Sequence, residues 1–151
     1  MRHPLLPLRA SLLAPLLASI TPRHYLFAAV AFFSLMVGIG AIPGQAQALS
    51  AMVYDKLLHV IAYAFLTGLV WGAVTSRPLY RAVQTVMIVA LLGGVDESIQ
   101  SLMPYRDANW LDWQFDVLAS VSCVVLLLFM HWLSLEIPPG PDAAGPVKRR
   151  K

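Results

Sequence analysis

Four long runs of apolar residues dominate the chain, and polar residues gather at their ends. The runs cover residues 25–42, 57–74, 82–95 (continuing weakly to 99) and 113–135. Each is continuously apolar rather than alternating, so a helix fits and a barrel strand does not. Crossing ~30 Å of hydrocarbon takes about 20 apolar residues in a helix, and each run meets or approaches that length. Pro43-Gly44, Arg77-Pro78 and Pro104 punctuate the gaps, and Pro138-Pro139 closes the last run. Proline lacks an amide donor and ends helices at such positions. The expected fold is an all-α membrane protein, a compact bundle of four transmembrane helices over residues 23–136.

Two flanks fall outside that pattern. Residues 1–22 are apolar but carry Pro4, Pro7, Pro15 and Pro22, so they read as a flexible or interfacial tail, with a cleaved leader as the alternative. Residues 137–151 are rich in Pro, Gly and Ala and finish Lys148-Arg149-Arg150-Lys151. They read as a disordered basic tail that contacts anionic lipid.

Composition narrows the class. The 151 residues are 58% hydrophobic and 13% charged, where a soluble domain carries about 25% charged residues. This excludes an ordinary soluble domain and a nucleic-acid-binding module. One cysteine, Cys123, excludes an internal disulfide framework and a cysteine-based zinc cluster; in the fourth run it reads as inert core. Net charge is only +3, but its distribution is uneven. With both termini in the cytoplasm, nine of the eleven Lys and Arg residues lie inside, and only Lys56 and Arg106 outside. Six of the eight acids do the reverse: Asp55, Asp96, Glu97, Asp107, Asp112 and Asp116.

That acidic face is the candidate site. Asp55, His59 and Tyr63 step by four along the second helix, next to Lys56. Asp96, Glu97 and Gln100 close the third. Asn109 is placed to cap the fourth, with Asp112 and Asp116 on one face behind it. Acids near a helix N-terminus are favoured by the helix dipole, whereas Asp96 and Glu97 sit near a C-terminus. Ionisable groups at membrane depth face inward and pair. Asp96 and Glu97 must therefore find a cation or share a proton, and six acids face only two obligate cations.

Each residue keeps more than one reading. His59 is a buried histidine bonded to Asp55 or Tyr63, an acid–base group, or a metal ligand. Glu97, which Gln100 could orient, is an acid–base group or half of an ion pair with Arg106 or Lys56. Arg106 clamps its loop or binds an anion through its guanidinium fork. Asp112 and Asp116 orient their helix or join Glu97 around a hard cation. Trp110 and Trp113 read as interface anchors, His131 as an interfacial residue, and Gly38, Gly40, Gly93 and Gly94 as sites of close helix packing.

The string Asp55-Lys56-Leu57-Leu58-His59 with Tyr63, followed by Asp96-Glu97, Gln100, Pro104, Arg106, Asp112 and Asp116, resembles the pattern of VanZ-like membrane proteins over about 70% of the chain. That family takes its name from an accessory protein of teicoplanin resistance. The resemblance implies a multi-pass protein of the bacterial cytoplasmic membrane, tied to the cell envelope, and suggests a link to glycopeptide resistance. It supplies no cofactor and no secure activity. Three functions stay open: a binding or transport module for an anionic or zwitterionic envelope ligand, an enzyme acting on a lipid or lipid-linked precursor, and a structural accessory subunit. Membrane lipids are the expected partners, nucleic acid is not, and a homo-oligomer is compatible with every reading.

Overall fold

A computed structural model describes residues 20–44, 55–106 and 109–136. Of the tail expected over residues 1–22, residues 1–19 lie outside the described residues, as do the tail 137–151 and Asp107. Among the described residues four helices follow in order: α1 (Pro22–Gly40), α2 (Asp55–Ala73), α3 (Pro78–Ser101) and α4 (Trp110–Glu136). At 1.5 Å per residue they are about 29 to 40 Å long, enough for each to cross a bilayer. Among the described residues there is no strand.

Local chemistry sets the ends. Pro22 occupies the first turn of α1, where its missing N–H costs nothing. The Thr21 amide ahead of it donates to His24 Nδ1 at 3.0 Å, a histidine in the place of the usual Glu or Gln of a capping box. Pro78 likewise starts α3 instead of merely breaking the chain before it. For that reason α3 is longer than its apolar stretch, taking in Arg81 at one end and the Asp96–Gln100 polar turn at the other. Arg81 Nε donates to the Trp71 carbonyl at 2.8 Å and its guanidinium lies over the Trp71 ring, a cation on the open C-terminal turn of α2. Asn109 Oδ1 accepts from Leu111 N at 3.0 Å, so α4 begins where the sequence places its cap.

Burial runs opposite to that of a soluble protein. Phe27, Leu79 and Leu91 are 72%, 74% and 66% exposed. Thr67, Thr85, Asp116 and Ser120 are fully buried, and Asp96, Gln100 and Asp112 nearly so. In water such a surface would be strongly disfavoured; in hydrocarbon it is the solvated face, and polar groups turn inward. The protein is a multi-pass membrane protein.

Helix α2 is the hub. It packs on the other three helices, and α3 and α4 pack on each other. The core is small: Tyr63, Leu66 and Val70 of α2 meet Ala29, Val89 and Ala119. Because α1 and α3 flank α2, a groove runs between them along the α2 surface. Two cavities, of about 250 and 540 Å³, lie at different levels between these helices. The Tyr105 hydroxyl bridges one mouth of the groove by donating to the Ala41 carbonyl at the end of α1. Small residues make the close approaches. A Cβ on Gly93 would stand 3.2 Å from Trp113 Cδ1 and 3.3 Å from Asp116 Oδ2, and one on Gly72 would overlap the Tyr25 ring. Gly38 and Gly40 do not fill the packing role expected of them: a Cβ at either would meet nothing within 4 Å.

Candidate functional site

Alternating helix direction brings the end of α1, the start of α2, the end of α3 and the start of α4 to one end of the bundle, which we call the polar end. Lys56 Nζ meets Asp112 Oδ1 at 2.8 Å, joining α2 to α4, and lies over the Phe115 ring. One turn deeper, His59 Nδ1 lies 3.0 Å from Asp116 Oδ1. One turn deeper again, the Tyr63 hydroxyl donates to Asp96 Oδ2 at 3.3 Å, joining α2 to α3. The three- and four-residue steps from Lys56 to His59 to Tyr63 thus deliver three successive polar links from α2 to two different neighbours. Thr67 continues the stripe, its hydroxyl donating to the Tyr63 carbonyl at 2.6 Å.

Glu97 is half-buried beside this ladder. Its Oε2 accepts the Asn109 amide at 3.0 Å, which fastens the end of α3 to the start of α4. Its Oε1 is buried without a hydrogen-bond partner, and so is Oδ2 of Asp116. Gln100 does not orient Glu97: its Oε1 accepts from Arg106 Nη2 at 2.7 Å. Arg106 therefore folds back over the end of α3 rather than pairing with an acid there. His59 pairs with Asp116 rather than bonding to Tyr63, whose ring is parallel to its own at 6.1 Å. The side chain of Asp55 lies outside the described ones.

The groove opens onto these residues. Its smaller cavity is lined by Phe32, Leu35, Met36 and Ile39 of α1 and, across from them, by His59, Tyr63, Asp96, Gln100 and Arg106. The larger cavity is apolar except for Arg23. Asp112, Asp116 and Glu97 do not line it. Of the residues singled out from sequence, the structure brings together Lys56, His59, Tyr63, Asp96, Glu97, Gln100, Arg106, Asp112 and Asp116. It sets Asp112 apart on Lys56, and it makes His59, not Asp112, the companion of Glu97 and Asp116.

The sequence does not show what three contributors do at the site. The α1 residues that wall the cavity are uniformly apolar, so nothing marked them out. Trp113 is not a simple interface anchor, because its indole N–H donates to the Ala90 carbonyl at 2.9 Å and the ring packs against Gly93. Gly93 fills the close-packing role expected of it, while its place against Asp116 follows only from the fold. An i, i+4 count from Glu97 back to Gly93 was the available hint.

Chemically, the site offers an imidazole held by a buried carboxylate, a guanidinium and a second buried carboxylate around one cavity. A base oriented by an acid is the arrangement that proton transfer uses. The class of protein so defined is a multi-pass membrane protein whose four described helices enclose a polar end. The chain is 30% identical over 109 residues to an uncharacterized protein of the fission yeast Schizosaccharomyces pombe, covering 71% of this chain and 67% of the yeast protein. It belongs to the same family as that protein. No family model matches the chain, and no solved structure matches it.

These comparisons overturn the resemblance to VanZ-like proteins. No model of any family is matched, and the relative is eukaryotic. The strings that suggested it are short, and their three- and four-residue spacing is what any helix end must show when it turns polar groups into a bundle. The bacterial envelope role and the teicoplanin link rested on the resemblance and go with it. A bacterial inner membrane has no other support.

Proposed function

We propose that this protein binds a zwitterionic aminophospholipid, with its acyl portion in the groove between α1 and α3 and its headgroup at the polar end. The observation that carries this is the cavity in which an apolar wall of Phe32, Leu35, Met36 and Ile39 faces His59, Asp96, Gln100 and Arg106. An amphiphile matches such a division. A guanidinium takes a phosphate bidentately, and a carboxylate takes an ammonium group. Arg106 and Asp96 supply both to one cavity. The second, almost wholly apolar cavity between the same helices supports the acyl half of the reading.

The headgroup end lies on the extracytoplasmic side in this reading, supported by the bias of Lys and Arg to the other end. A second reading, proton transfer by His59 within the bound headgroup, draws support from the His59–Asp116 pair beside the cavity.

The test is thermal unfolding of the full chain in detergent with added lipid. Phosphatidylethanolamine should raise Tm more than phosphatidylglycerol or diacylglycerol of the same chains. Arg106→Ala should abolish the difference, and Met36→Trp, which fills the groove, should abolish the shift from all three. Equal shifts from phosphatidylethanolamine and diacylglycerol, or an unaltered headgroup preference in folded Arg106→Ala protein, would refute it.

A further inference from the structure

We infer that His59, Glu97 and Asp116 form a binding site for one divalent cation of the zinc type. One potential ligand atom from each residue lies within 4.8 Å of the other two. The three side chains come from three helices, α2, α3 and α4, so the cluster is a product of the fold and not of a local run of acids. His59 and Glu97 are half-buried and Asp116 is fully buried.

The hydrogen bonds leave room for an ion. Oδ2 of Asp116 and Oε1 of Glu97 are both buried with no partner. A buried carboxylate oxygen without a donor is costly, and two of them beside one imidazole call for positive charge. Lys56 lies on Asp112 and Arg106 on Gln100. A divalent ion would neutralise the two carboxylates while His59 stays neutral as a ligand. Gly93 keeps the Asp116 side of the cluster open, since a Cβ there would stand 3.3 Å from Oδ2.

Distances fit. Zinc binds imidazole nitrogen and carboxylate oxygen at about 2.0–2.2 Å, which places two ligands of one ion roughly 3.0–3.4 Å apart at octahedral to tetrahedral angles. The His59 Nδ1 to Asp116 Oδ1 separation is 3.0 Å, already the edge of such a shell. The three ligand atoms all lie within 4.8 Å of one another, so closing the shell around one ion shortens no separation by more than roughly 1.5 Å. Glu97 Oε1 gives up no hydrogen bond in moving, and Oε2 keeps the Asn109 amide. One imidazole with two carboxylates suits a borderline ion better than Mg²⁺ or Ca²⁺, which prefer all-oxygen shells. Three protein ligands leave a fourth position open. The site does not depend on a lipid being bound, so the metal alone is the probe.

The experiment uses the full chain in detergent, stripped with chelator and titrated with ZnCl₂, with Tm and bound metal read out. One equivalent per chain is expected, with zinc at least about 100-fold tighter than Mg²⁺. Asp116→Asn and Glu97→Gln should each weaken zinc by at least about 30-fold. Cys123→Ser should bind as the parent does. X-ray absorption at the zinc edge should show nitrogen and oxygen ligands, with imidazole scattering. Should Asp116→Asn fail to fold, Glu97→Gln decides, because it keeps the Asn109 hydrogen bond. No saturable uptake by the parent chain, full uptake by folded Glu97→Gln protein, or sulfur in the zinc shell would each overturn the site.

Discussion

Replacing Gly93 by Ala tests whether the packing under Asp116 is as tight as described. The new Cβ would stand 3.2 Å from Trp113 Cδ1, 3.3 Å from Asp116 Oδ2 and 3.5 Å from Tyr63 Cε1. Carbon pairs are most favourable at about 3.5–4.0 Å, so the tryptophan must retreat by a few tenths of an ångström. None of the three neighbours is free to do so. Trp113 is held by the Ala90 carbonyl, Asp116 by His59, and Tyr63 is fully buried on Asp96. Overpacking of this kind costs about 1–3 kcal/mol. Alanine returns up to about 1 kcal/mol of helix propensity relative to glycine, which hides part of the cost. Gly38→Ala is the control, since its Cβ meets nothing within 4 Å and gains the same propensity. The difference between the two variants is then the packing cost alone. At roughly 2–4 °C per kcal/mol for a chain of this size, Gly93→Ala should melt about 2–12 °C below Gly38→Ala in tryptophan-detected unfolding. Equal melting temperatures would show that α3 and α4 are not packed at Gly93 as described.

Lys56→Met should destabilise by about 1–3 kcal/mol, between the values for surface and buried pairs, because it leaves Asp112 nearly buried without its 2.8 Å partner. Adding Asp112→Asn should recover part of that loss in a double-mutant cycle by chemical unfolding; additive effects would contradict the pair. Asn109→Ala should cost about 1 kcal/mol through loss of the cap on Leu111, and Asn109→Asp should restore it. For orientation, a cysteine at Arg77 should react with an impermeant maleimide only after permeabilisation, and one at Ser101 should react before it.

The four helices were legible because hydrocarbon thickness imposes a length and composition that no soluble segment of this chain shares. Their ends were partly legible. Asn109 was readable as a cap from its residue type and position. Pro78 misled as a breaker, because proline is also the favoured first residue of a helix and only the structure shows which role it takes. At the site, the spacing of His59 and Tyr63, and of Asp112 and Asp116, showed which side chains share a helix face.

Spacing along one helix cannot say which neighbour that face meets. Sequence by itself determined a membrane-embedded all-helical chain with its acids gathered at one end, because apolar length and i, i+4 periodicity are properties of single helices. Only the tertiary structure decided that His59 meets Asp116, that Arg106 turns to Gln100, and that featureless α1 walls the cavity. Partner choice between helices depends on their rotation and separation, and these follow from small residues such as Gly93 and Gly72 meeting particular rings across the interface.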